Sequence, residues 1–169
     1  PKKSKGFKDV KKIRTLGVRS AFVGEFSVEN ESISLDRIIS EGSAAWDAVF
    51  GTVNLGKFFL GFGSIGICER AMGEALAHIQ NRILFGKPVA DFPHIRSLMC
   101  QAYARLAGMK LFAYRALDYQ IHASASDRRY LLYNSVQKAR VSTNGVEVMR
   151  LMAECIGAKG FESDTYFEL

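Results

Sequence analysis

Arg82 is the side chain that this sequence places best for chemistry. It closes a long apolar-striped stretch, three residues ahead of Phe85-Gly86. A guanidinium there suits the negative end of a helix dipole, and its planar fork could also grip a phosphate. The alternative is a surface arginine at a helix end with a core phenylalanine beyond it, and spacing alone does not choose between the two. Other reactive side chains are scattered. Cys68, Cys100 and Cys155 are odd in number and lack CxxC spacing, so they read as reduced core thiols. His78, His94 and His122 have no spacing that would pair one with a cysteine or build a zinc site. Met99, Met109, Met149 and Met152 fall at packing intervals and read as core.

The elements that must carry these residues are helical. Ile67, Ala71, Ala75 and Ile79 recur every four residues and form one stripe. Gly61, Gly63 and Gly66 are poor helix formers, best explained by close approach of another backbone or a flat ligand. A first helix is expected from about Ala44 to Arg82, capped by Ser43 and kinked near Gly51 or Gly56. A second is expected from Pro93 to Ala123, with Asp91 as cap and Ile95, Leu98, Met99, Ala102, Leu106, Met109, Ala113 and Leu117 inward. A third should run from Asp127 to Ile156, with Leu132, Val136, Ala139, Val146, Met149 and Ala153 inward, and stop at Gly157. Helices of this length are roughly 45 Å long, and short connections make them pack antiparallel as an incomplete up-and-down bundle. Ahead of them, residues 1–20 read as irregular with at most one short strand. The alternation Phe22, Gly24, Phe26, Val28 reads as a half-buried strand, and Ile33 and Leu35 as an extended or turn segment. Trp46 reads as a packing anchor.

The chain has 169 residues, 48% of them hydrophobic, enough for one compact domain or a domain with a fragment of another. No run of eighteen uninterrupted apolar residues marks a membrane span. The basic start lacks the apolar stretch of a signal peptide, and with reduced thiols the expectation is a cytoplasmic protein. Net charge is +6, and five lysines lie in the first eleven residues. No aromatic-interleaved patch accompanies them, which disfavours nucleic acid and fits a solvated tail. A nucleotide-bearing acidic ligand also suits this charge.

Three segments in register resemble the acyl-CoA dehydrogenase family. Gly63-Ser64-Ile65-Gly66, Arg70-Ala71 and Arg82 with Phe85-Gly86-Lys87-Pro88-Val89 are similar to the long helix that opens the family's C-terminal bundle and its R-x-x-F-G ending. Leu16-Gly17-Val18-Arg19-Ser20 and Glu25-Phe26-Ser27-Val28 resemble the last strands of its middle β-domain. Ile156-Gly157-Ala158-Lys159-Gly160-Phe161 is similar to its F-G-G-x-G-[FY] turn. The resemblance implies a mainly α fold: the end of the β-domain over 1–41, then an up-and-down antiparallel helical bundle over 42–169, incomplete at its C-terminus.

The same resemblance implies an enzyme, with FAD as cofactor, acyl-CoA as substrate, an electron-transferring flavoprotein as electron acceptor, and a homodimer or homotetramer. Arg82 matches the arginine that contacts FAD phosphates across the subunit interface, and Phe85 the aromatic packed on the cofactor. Glu154, Gly157 and Ala158 fall at the turn that meets the flavin, while Asn54 and Lys57 fall where the first helix meets the CoA nucleotide. Some positions depart from the pattern: Leu84 for a threonine, Pro93 and Glu154 for glutamines, Ala158 for a glycine, Lys57 for an arginine. These changes should weaken FAD binding. The family's usual base, a glutamate, lies some twenty residues beyond the glycine turn, past Leu169, and its less common position is Gly56. No catalytic residue is therefore assigned, and the expectation is a piece of a longer enzyme, inactive alone. Two alternatives remain, a superfamily oxidase or hydroxylase and a helical scaffold that has lost flavin.

Overall fold

A computed structural model describes residues 6–18 and 20–163. The chain forms two compact units with the boundary between Asp47 and Ala48. In the first, β1 (Phe7–Ile13) pairs antiparallel with β2 (Val23–Val28), and a bulge shifts the register between Lys8 and Lys11. Phe7 and Phe26 stack at 5.1 Å. The strand expected to be half-buried is largely exposed, Phe22 and Phe26 included, because a two-stranded sheet offers no second layer of its own. Arg19, part of the matched Leu16–Ser20 run, lies outside the described residues, as do 1–5 and 164–169. The Leu35–Arg37 segment is a single 3-10 turn. Trp46 is 63% exposed and is no core anchor.

The second unit is the bundle. Helix α1 (Gly42–Asn81) is continuous for 40 residues, about 60 Å, with neither Gly51 nor Gly56 interrupting it. It begins at Gly42, so Ser43 lies inside the helix and does not cap it. Helix α2 (Pro93–Ile121) follows with Phe92 at its N-cap, and α3 (Tyr130–Ile156) completes the trio. Asp91 is drawn away from capping by its ion pair with Arg96 at 2.9 Å. The Ser124–Asp127 turn holds itself together through Asp127 N–H donating to Ser124 Oγ, and Asp127 then grips Arg129, which delays α3 to Tyr130.

Contacts fix the directions. Glu69 meets Lys110 at 2.5 Å and Phe62 faces Tyr114, so α1 and α2 run antiparallel. Lys57 approaches Ser135, and Cys68 approaches the Gly145 carbonyl, so α1 and α3 run parallel. Arg105 meets Asn144 and Gln120 meets Asn134, so α2 and α3 are antiparallel. The core is built on Ile65, Cys68, Ala75, Ile79, Ala102, Leu106, Met109, Val141, Val148, Leu151 and Met152.

The stripes of α1 and α2 follow the sequence reading, except that Ile67 is exposed. On α3 the expected face is rotated. Leu132, Val136, Ala139 and Val146 are exposed, whereas Asn134, Gln137, Val141, Gly145, Val148 and Met152 face inward. Apolarity misleads there because the buried stripe admits two carboxamides and a glycine. Of the three close approaches expected along α1, only Gly61 meets another helix; a β-carbon at Gly63 or Gly66 would stand in open space. Cys68 and Cys155 are buried thiols, but Cys100 is exposed. Residues Leu35–Asn81 are long and apolar enough to cross a membrane by composition, yet the inner stripe of α1 packs against α2 and α3.

Candidate functional site

Where α1 ends, the chain makes a tight hairpin that defines a cleft. The Arg82 N–H donates to the His78 carbonyl, the last helical bond, and the Arg82 carbonyl accepts from Val89 N–H at 2.8 Å. Between them β3 (Ile83–Leu84) pairs with β4 (Lys87–Pro88). The two turn residues, Phe85 and Gly86, have φ of 51° and 79°. Positive φ at both positions suits the right-handed twist of a two-residue hairpin, and glycine accepts it at no cost. Phenylalanine does not, and its ring is 94% exposed. A strained backbone carrying an exposed aromatic is a feature of binding sites. The ring stands edge-on to Phe92 at 6.4 Å, over which Lys87 Nζ sits at 4.3 Å.

The opposite wall is the end of α3. Gly157, at φ 65° and ψ −141°, terminates the helix, and its N–H donates back to the carbonyls of Ala153 and Glu154. That backbone region is open to glycine almost alone, and it turns the chain into the 3-10 segment Gly157–Phe161. The resulting cleft encloses about 660 Å³ and is lined by His78, Arg82, Leu84, Phe85, Glu154, Gly157, Ala158 and Lys159, among others. Five residues singled out in the sequence, Arg82, Phe85, Glu154, Gly157 and Ala158, thus share one site. Asn54 and Lys57 are not part of it: they lie roughly 40 Å away along α1. There Asn54 is buried, while Lys57 is half-buried with Nζ 3.5 Å from Ser135 Oγ.

The lining carries two cations, Arg82 and Lys159, and two carboxylates, Glu154 and Glu162. No described residue forms an ion pair with Arg82, whereas Glu154 is held by Arg150 and Glu162 by Lys159. His78 is kept below its ordinary pKa by burial first, then by the charges of Lys159 and Arg82. The cleft therefore offers a guanidinium with no ion pair among the described residues and an exposed ring. This combination suits an anionic ligand with a flat group. Pairing with Arg150 offsets the negative charge that Glu154 brings to the site. Among the described residues no cluster of His, Cys, Asp and Glu could hold a metal ion.

His78, His94 and Lys159 line the cleft and were missed in the sequence. His78 precedes Arg82 by one helical turn, a spacing that could have flagged it. His94 and Lys159 arrive from other elements, which no local spacing reveals.

Residues 46–169 match the acyl-CoA dehydrogenase C-terminal domain family. The cyclohex-1-ene-1-carbonyl-CoA dehydrogenase of Geobacter metallireducens is 22% identical over 153 residues, which are 90% of this chain and 40% of that protein. The probable acyl-CoA dehydrogenase FadE25 of Mycobacterium tuberculosis is 23% identical over 163 residues, 96% of this chain and 41% of its own length. The chain thus spans about two fifths of these relatives. Glutaryl-coenzyme A dehydrogenase in complex with glutaryl-CoA superposes with a TM-score of 0.81 at 21% identity, over 99% of this chain and 42% of that one. A nitroalkane oxidase structure superposes at 0.90 with 15% identity, over 99% and 40%. At such identities the superpositions speak for the fold alone, while the match over most of the bundle decides the family: the chain belongs to the acyl-CoA dehydrogenase C-terminal domain family.

Proposed function

We propose that this chain is the cofactor-holding helical part of a flavin-dependent acyl-CoA dehydrogenase, and that the Arg82 cleft grips FAD. One observation carries the reading. An arginine with no ion pair among the described residues and an exposed phenylalanine in a strained turn face the Gly157–Ala158 backbone across one cleft. The residues present fit such a group. Arg82 would hold the phosphates with its two-pronged donor face, and Phe85 would cover an aromatic ring. The backbone from Gly157 to Ala158, which has no bulky side chain, would let a planar edge approach. Glu154, neutralised by Arg150, would flank it at little electrostatic cost.

FAD, when bound, supplies the hydride acceptor for oxidation of the α,β bond of an acyl-CoA thioester. This chain's described residues contribute binding and orientation, and none of them is assigned as the base. Lys57 would offer positive charge to the CoA nucleotide at the far end of α1, where Asn54 lies one turn earlier on the inner face. Because the cleft is open, a neighbouring subunit is the natural source of the rest of the cofactor's contacts. A homodimer or homotetramer, an electron-transferring flavoprotein as electron acceptor and a cytoplasmic location complete the proposal.

Purification of the full-length protein tests it. The expected result is bound FAD, close to one per chain, that is bleached on addition of acyl-CoA. A colourless protein that takes up no FAD would overturn the reading and leave the bundle as a scaffold. FAD that oxidises a substrate other than a thioester would point to the oxidase or hydroxylase branch instead.

A further inference from the structure

The bundle interior between Asn54 and Gly61 of α1 and Asn134 and Gln137 of α3 carries carboxamides where hydrocarbon would be expected. Gln137 is wholly buried, and its Nε2 donates to the Phe58 carbonyl at 3.4 Å. Its amide lies in the notch left by Gly61, where an added β-carbon would overlap it. One turn earlier on α3, wholly buried Asn134 donates from Nδ2 to Gln120 Oε1 of α2 at 2.6 Å. Asn54 lies on the same buried α1 stripe as Phe58 and Gly61. Asn54 Nδ2, Asn134 Oδ1 and Gln137 Oε1 are buried without a hydrogen-bond partner among the described residues. Unpaired amides at this depth lower stability, and apolar residues of similar volume would pack there at least as well. A layer that costs stability is most simply explained by specificity, as with a single polar residue that fixes the register of a coiled coil.

The rest of the contact needs such a device. Toward the cleft, the α1 stripe narrows to Cys68, Ala71 and Ala75 between Ile65 and Ile79, and Gly145 of α3 lies against Cys68 and Ser64. The short side chains from Cys68 to Ala75 interlock weakly and leave most of the resistance to an axial slip to the residues on either side of them. The Gln137 amide opposes such a slip. A slip of one turn would set it against Phe58 or Ile65 in place of Gly61 and take it from the carbonyl it bonds.

We propose that Gln137, keyed into Gly61, is a positioning residue that sets the axial register of α1 against α3. It thereby delivers Arg82 to the Glu154–Ala158 turn. One turn of slip would move Arg82 about 5.4 Å along the bundle, enough to separate it from any group held at that turn. The consequence for cofactor binding rests on the FAD reading above; the register key does not.

The test uses the full-length protein with Gly61→Ala, Gln137→Ala, their double, and Gln137→Met as an apolar replacement of similar length. Gly61→Ala alone should lower the thermal midpoint by about 5 °C through overpacking. In the Gln137→Ala background the same change should raise it, since helix propensity favours alanine once the amide is gone. This reversal of sign identifies the key. Spin labels at Gln80 and Thr143, in a Cys100→Ser background, read the register directly. Gln137→Met should keep the thermal midpoint within a few degrees yet shift or broaden the inter-label distance and weaken FAD binding severalfold. Additive midpoints in the double variant, or an unchanged distance distribution in Gln137→Met, would overturn the proposal. A changed distance with unchanged FAD affinity would leave the key standing and overturn the assignment of the cleft.

Discussion

Replacing Arg82 by glutamine removes the one guanidinium in the cleft that no described carboxylate engages. A hydrogen bond to a charged group contributes about 1.5–3 kcal/mol. Arg82 is exposed in this chain, so solvent screening places the loss near the lower end, about 1.5 kcal/mol, or roughly tenfold in dissociation constant. Arg82→Lys keeps the charge but not the planar fork, and should cost about threefold. Titration of flavin-stripped full-length protein with FAD, followed by flavin fluorescence, measures both. Thermal midpoints should stay within a degree or two, because the side chain is exposed and has no ion pair to lose among the described residues. Arg96→Gln is the control: that arginine is bound to Asp91 and does not line the cleft, so FAD affinity should not change. An Arg82→Gln protein that binds FAD within twofold of the parent would refute the phosphate role.

Four further outcomes follow from the same geometry. Phe85→Asn should hold or raise the thermal midpoint, since asparagine tolerates the φ of 51° better than phenylalanine; the same variant should lose FAD affinity severalfold in the fluorescence titration. Iodoacetamide at neutral pH should alkylate exposed Cys100 in the native protein and spare Cys68 and Cys155, whose thiols burial pushes up to about 11, as mass spectrometry of the peptides would show. His78 titrates below its ordinary value, so the unfolded chain binds the proton first as pH falls. Its contribution to stability is therefore intact above the unfolded pKa of about 6.5 and declines as pH drops from there toward the folded value. Inorganic pyrophosphate in the cleft should pull the His78 titration upward, as the imidazole NMR signals would report, by offsetting the Arg82 and Lys159 charges.

Local patterns in the sequence located the three helices because apolar spacing over 27 to 40 residues is a strong local signal. Gly157 as the stop of α3 was equally legible, since a left-handed residue after a helix is nearly always glycine. Arg82 and Phe85 could be placed at a helix end, but their meeting with Glu154 and Ala158 is a tertiary fact that resemblance alone supplied in advance. The face of α3 was misread for a physical reason. Leu132 and Val146 are more apolar than Asn134 and Gln137, yet the amides are buried because Gly61 and Gln120 receive them. Caps were the weakest inference: Ser43 and Asp91 are good capping types, but α1 starts one residue earlier and Asp91 pairs with Arg96. The exposed two-stranded sheet shows the limit of alternation, which reports a strand's two faces and not whether anything covers either.

The most direct test is a structure of the full-length protein with FAD bound. A phosphate of FAD should lie within hydrogen-bond distance of the Arg82 guanidinium, the Phe85 ring against the cofactor, and the Gly157–Ala158 backbone beside its planar end. FAD bound elsewhere, with Arg82 and Phe85 facing solvent, would contradict this placement.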